Sequence, residues 1–262
     1  MLFKPRVLVI VLFLLPALYP ESRGQQRIND FYLCNYDAGG SQEWSVDGQR
    51  ALLYENHTDV FKVKGRFYSR DGDTLVFSDS GLIKNPVHDA VLTGRVKVIG
   101  KQASIFTKKL YWREAAKTAL SNTWVLVKSP KARIKGFGMF AVADSRKAYF
   151  FKKVRAQVVN PGQDTVDITC RGLLAIDYYR GKAIFNKYVK MSSRDGVVYS
   201  DKATEFFDPH SRKLVKIISQ GHVRVERASS VSYSEWAKYS ARDSKITFTG
   251  KPKIIYYPEK KP

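Results

Sequence analysis

Cysteine and histidine are scarce, with two Cys and four His in 262 residues. That leaves little material for a zinc module or a metal cluster. Acidic residues are also in short supply: 24 Asp and Glu stand against 45 Lys and Arg, a net charge of +21. No Gly-x-Ser-x-Gly elbow, no His-Glu-x-x-His and no phosphate-cradling glycine loop occurs. Beyond residue 19 no stretch approaches the roughly eighteen uncharged apolar residues that a membrane helix requires. His57, His88, His210 and His222 fall in turns or on polar rows, and Asp71 and Asp73 flank a glycine as a β-turn requires. No converging acid, base and nucleophile emerges. The expectation is a protein without catalysis, metal or cofactor.

What is present points to strands. Val plus Ile outnumber Leu about two to one, and the 15 Tyr and 15 Phe favour pleated, half-buried surfaces over helices. Hydrophobic residues at 44% exclude a disordered basic tail.

The N-terminus carries Lys4 and Arg6 ahead of the apolar run Val7–Leu15, extended by Ala17–Tyr19 beyond Pro16. As a helix it would cover about 20 Å, short of a hydrocarbon core of about 30 Å. Small residues at Ser22 and Gly24 complete a secretory pattern, cleaved before Gln25. An uncleaved anchor is the other reading, since Leu2 and Phe3 lengthen the run. Either way the chain is expected to be exported. Export would let Cys34 and Cys170 pair, or leave one buried and one idle.

Period-two alternation recurs along the rest of the chain. Val91–Val98 places Leu92, Gly94, Val96 and Val98 on one side. Ala148–Val158 groups Ala148, Phe150, Val154, Ala156 and Val158; Ala183–Met191 groups Ala183, Phe185, Val189 and Met191. Lys213–Val225 ends in Gly221-His222-Val223-Arg224-Val225, an echo of Gly94-Arg95-Val96-Lys97-Val98, and Ile246–Ile254 carries Phe248. Turns are expected at Arg70–Asp73, Asn160–Gln163, Arg194–Gly196, Asp208–His210 and Ala241–Ser244. Equivalent strands recur every 30 to 35 residues or so, a spacing that fits a jelly roll or open β-roll of short antiparallel strands. Arg113–Leu120 is the one helical candidate, or else a long hairpin loop.

The charge calls for an anionic partner. Lys and Arg are spread over nearly every strand and loop, and the export signal removes the usual nucleic acids. A phosphorylated amphiphile outside the cytoplasm fits better. The apolar rows read equally as a sealed sandwich core or as a lipid-holding groove. A secreted basic β-sandwich that binds anionic polymers is therefore the alternative.

Gly94–Val98, Ile134-Lys135-Gly136-Phe137-Gly138-Met139, Asp144 and Phe151-Lys152-Lys153-Val154 carry a likeness to a known family. Through them residues 44–159 resemble the LptC type of lipopolysaccharide transport bridge protein. Residues 165–259 are similar to the LptA/OstA type, through Gly196–Ala203, Asp208–Leu214, Gly221–Val225, Val231–Ala237 and Thr249–Ile254. The LptC type keeps an uncleaved anchor, whereas the apolar run in this chain is short and broken by Pro16.

The resemblance implies an all-β, twisted open β-jelly roll (β-taco) in three parts: 1–24 signal peptide or anchor, 25–159 LptC-like, 160–262 LptA/OstA-like. It implies a periplasmic protein, with or without an inner-membrane anchor, that binds lipopolysaccharide. Such a protein passes the lipid from an inner-membrane ABC transporter toward an outer-membrane translocon, with no catalysis and no nucleic acid. The implied groove residues are Val96, Val98, Phe150, Val154, Ala156, Phe185, Val189, Met191, Val223, Val225 and Phe248. An open roll leaves unpaired edges. Trp44–Val63 and Lys251–Tyr257 are the expected ones, with Ile254 and Tyr256 on a partner-binding strand that permits head-to-tail self-association.

Overall fold

In a computed structural model of the chain, every regular element among the described residues is a strand, as the β-branched and aromatic bias requires. Residues 26–37, 39–69, 72–85, 87–158 and 165–257 are described. The signal or anchor at 1–24, the boundary at Asn160–Gln163, the first half of the turn at Arg70–Asp73 and the tail Pro258–Pro262 lie outside them.

The first strands are β1 (Gln26–Tyr36), β2 (Gln42–Leu53), β3 (His57–Phe67), β4 (Thr74–Lys84), β5 (Ala90–Ile99) and β6 (Ser104–Arg113). Next come β7 (Thr118–Lys128), β8 (Ala132–Val142), β9 (Lys147–Val158), β10 (Val166–Cys170), β11 (Leu174–Asp177) and β12 (Lys182–Ser193). The last are β13 (Gly196–Phe207), β14 (Leu214–Arg227), β15 (Ser230–Ser240), β16 (Lys245–Thr249) and β17 (Lys253–Tyr256). All 17 join one antiparallel sheet in which, apart from β10 with β11 and β16 with β17, each strand pairs with its neighbours in sequence. β10 and β11 lie end to end between β9 and β12, and β16 and β17 lie end to end along β15. The ladder continues from β9 into β10 across residue 159.

Three expectations are corrected. The strands are mostly 10–14 residues long, not short. Arg113–Leu120 forms no helix: Glu114–Lys117 turn and Thr118 begins β7, because cross-strand pairing outweighs the local preference for helix. Ile246–Ile254 is not one strand, because Gly250 and Lys251 take positive φ and Pro252 has no N–H to give the ladder.

The strands are creased. Registers shift in mid-strand, at Phe77/Ser80, Thr93/Val96, Ser121/Trp124, Asn186/Val189 and Gln220/Val223. Two or three consecutive residues there face outward, as Phe151, Lys152 and Lys153 do between buried Phe150 and Val154. These shifts line up across the sheet and bend it along one line. Gly94 sits on that line at φ 77°, where an added Cβ would lie 2.5 Å from the Asp79 carboxylate. Gly221 stands in the same relation to Asp201. The echo between residues 94–98 and 221–225 is therefore two copies of one corner.

Described residues offer no helix and no second sheet, yet one face of the sheet is buried. The two halves of the creased sheet must cover each other. Turns then alternate between two rims, and Lys131 on one rim donates a hydrogen bond to the Ser211 carbonyl on the other.

Candidate functional site

The inner face carries three apolar clusters in series along the sheet. Phe31, Ala51, Val60 and Val63 form the first, from β1 to β3. The largest runs from Val96 on β5 to Ala203 on β13, and Val223, Val225 and Ala237 form the third. Val198 packs against both of the last two, so they are continuous.

All eleven residues expected on the groove lie on this face. Val96, Phe150, Val154, Ala156, Phe185, Val189 and Met191 belong to the largest cluster, with Val98 packed against it. Val223 and Val225 belong to the third, with Phe248 against them. Phe150 and Phe185 are 1% and 2% exposed. The row is filled by its own side chains, and Gly136 on β8 leaves the space that the Phe150 ring occupies.

Small hydroxyl residues line the inside of the crease: Ser78, Thr107, Ser121, Ser200 and Ser219 are buried. The apex is narrow, which suits short side chains. Thr107 Oγ1 lies 3.0 Å from Ser121 Oγ and 2.8 Å from Thr123 Oγ1. The hydroxyls of Ser78 and Ser200 have no partner among the described residues.

One ionisable group faces inward that the sequence reading missed. Glu205 on β13 shares parity with Ala203 and Phe207 and stands opposite Ala183 and Ile217. It is 8% exposed, and burial pushes its carboxyl up to about 7. Nearby on the rim, the Arg212 guanidinium lies over the Tyr178 and Phe207 rings at 4.8 and 5.7 Å. The signal for Glu205 was its parity within Ala203-Thr204-Glu205-Phe206-Phe207.

The remaining candidates scatter. His57 stacks on Tyr54, His88 and His210 are exposed in turns, and His222 Nδ1 lies 2.7 Å from Asp201. That pairing raises the His222 pKa, as the bidentate Arg95 contact at 2.7 and 3.1 Å lowers that of Asp79. Cys34 is exposed on β1, and Cys170 is buried on β10 with its thiol pushed up to about 11 by desolvation. Both are free, so they form no disulfide. Among the described residues no cluster of three or more metal ligands occurs, and no helix is long and apolar enough to cross a membrane.

The C-terminal edge lies where expected, and the N-terminal one does not. Ile254 and Tyr256 on β17 pair with Ser232 and Ser230 of β15, exposed beyond them. At the other end Trp44–Val63 is interior, because β1 covers β2 along nearly its whole length. Among the described residues the edge is β1 itself, which carries exposed Ile28, Tyr32, Leu33 and Tyr36.

No protein-family model matches the sequence, and no curated protein matches it. A solved structure aligns with it. It is LptH, described as the LptA homologous periplasmic component of the conserved lipopolysaccharide transport device from Pseudomonas aeruginosa. The alignment covers 72% of this chain and 98% of that one, at 11% identity and a TM-score of 0.26. At that score the alignment supports neither fold nor function, and the architecture stands on the chain's own ladder.

Proposed function

We propose that the chain is a periplasmic bridge protein that holds lipopolysaccharide acyl chains between the two halves of the creased sheet. It would pass the lipid from an inner-membrane ABC transporter toward an outer-membrane translocon. The observation that carries this reading is the apolar inner face, continuous from β5 to β16 and preceded by the separate cluster on β1 to β3. A track needs such continuity, and each acyl CH₂ buried on it would contribute about 0.8 kcal/mol. The LptC-like and LptA/OstA-like motifs fall on the first and second halves of that ladder. Loading requires the rims to part, since the inner residues cover one another.

Photo-crosslinking in intact cells tests it. A photo-reactive residue in place of Phe185 or of the partly buried Phe248 is expected to capture lipopolysaccharide. One in place of Tyr188, which is 69% exposed on the outside of the crease, is not. Equal labelling at inner and outer positions would refute the groove. An apolar fluorescent dye that stays dark with the purified protein would mean a sealed sandwich.

We further propose that β17 joins a partner or a second copy by strand addition. Ile254→Pro removes an N–H and fixes φ at the edge, and is expected to abolish intermolecular crosslinking from Tyr256 while circular dichroism keeps its β signal. Loss of that signal without any adduct in the parent protein would show that the strand serves only this chain's own sheet.

A further inference from the structure

The outside of the crease has a composition that the interior does not explain. From β6 to β12 its outward residues include Lys108, Lys152, Lys153, Arg171 and Lys187, all exposed. None of the five takes part in an ion pair among the described residues. Acids stand on the crease on either side of this stretch, where Asp79 on β4 pairs with Arg95 and Asp201 on β13 pairs with the His222 imidazole. Between them the crease carries no acid.

Large aromatics share the ridge. Trp124 and Phe151 are 45% and 43% exposed, beside the still more exposed Tyr188. Cations sit over the rings, with Arg171 at 4.7 Å from Tyr188, Lys152 at 5.0 Å from Phe137 and Lys135 at 5.2 Å from Trp124. The backbone adds a second, independent observation. Positive φ at the corner favours glycine, and β5, β8 and β14 place Gly94, Gly138 and Gly221 there. β9 and β12 instead hold Lys153 at φ 53°, Lys187 at 63° and Tyr188 at 53°. These side chains are kept at a strained position where glycine would turn the strand more easily.

We propose that this ridge docks the protein on the surface of an anionic phospholipid bilayer. Six strand positions at about 4.8 Å make a line of about 24 Å, convex and presented outward. A convex line meets a plane, whereas a nucleic acid strand or an acidic peptide is held in a groove. Lys and Arg with Trp, Tyr and Phe is the mixture that settles at a headgroup layer. The inference does not rest on lipid carriage inside the roll, because the ridge and the interior use opposite faces of the sheet.

The test is co-sedimentation of the purified full chain with vesicles of phosphatidylcholine, with and without phosphatidylglycerol, at low and high salt. Binding is expected only to the phosphatidylglycerol vesicles and to weaken with salt. Lys152→Gln, Lys153→Gln and Lys187→Gln together are expected to weaken it on the order of a hundredfold, at about fivefold per charge near an anionic surface. The triple variant Lys238→Gln, Lys245→Gln, Lys253→Gln changes net charge equally on the C-terminal strands and should have a far smaller effect. Lys153→Gly with Lys187→Gly should lose binding while the thermal midpoint holds or rises. Equal loss in the two Gln triples would mean net charge alone acts. Equal binding to neutral vesicles, or binding to heparin and single-stranded DNA but not to vesicles, would also overturn the proposal. Phe185 crosslinking reports on the interior separately.

Discussion

Phe150→Ala is expected to lower the stability of the protein by about 3–5 kcal/mol, as removal of a buried aromatic ring does when the site cannot collapse. Phe150 is the largest of the fully buried side chains, and it fills the space above Gly136 on β8. The neighbours that would have to close the void are strands held by ladders on both sides, so relaxation is limited. Urea unfolding should show the loss as a lower midpoint with an unchanged slope. A change under about 1 kcal/mol would mean that the two halves of the sheet do not press on this residue, and the interior would be looser than described.

Glu205→Gln is expected to act through pH. The carboxyl is raised by burial to about 7 in the folded chain, against 4.5 ordinarily. Below about pH 4.5 it is neutral folded and unfolded, and contributes nothing to pH dependence. As pH rises from there the unfolded chain ionises first, so stability falls until the folded carboxyl ionises too, near pH 7. Above that the cost is complete, on the order of 3 kcal/mol. Glutamine removes the titration but keeps the size and polarity. The variant should therefore gain that amount on the parent between pH 4 and pH 8, read from urea midpoints at each pH. Parallel curves for the two proteins would place Glu205 in contact with water or a cation.

Much of this architecture was legible because a strand with one wet face writes its own period. Val91–Val98, Ala148–Val158 and Ala183–Met191 fall within observed strands, as does Lys213–Val225 apart from Lys213, and their apolar rows lie inward except Gly94, which stands on the outer corner beside Asp79. The crease was hidden in the same rows. Lys152 and Lys187 interrupt the alternation between Phe150 and Val154 and between Phe185 and Val189, and each interruption marks a corner. One irregular residue per strand is weak evidence by itself. Asp79 with Gly94, Asp201 with Gly221 and Glu235 with Gly250 repeat an acid and a glycine on adjacent strands, which only the register brings together. The misplaced N-terminal edge has a different cause. β1 reads Gln-Arg-Ile-Asn-Asp-Phe-Tyr-Leu-Cys-Asn-Tyr, with Phe31 alone buried, so it lacks the two-faced pattern by which strands announce themselves.

Because each ladder joins strands that are adjacent in the chain or one element apart, forming this sheet never requires distant segments to find one another first. Such a sheet can nucleate at any hairpin and grow outward one strand at a time, much as a row of stacked repeats does. Its cooperativity is then local. The strands around β9 to β12 are clamped from both sides and open last, whereas β1 and the β16–β17 pair are held on one side and open first. The ends offered for pairing are thus also the segments with the lowest opening free energy, ready to exchange this chain's ladder for another's without disturbing the centre.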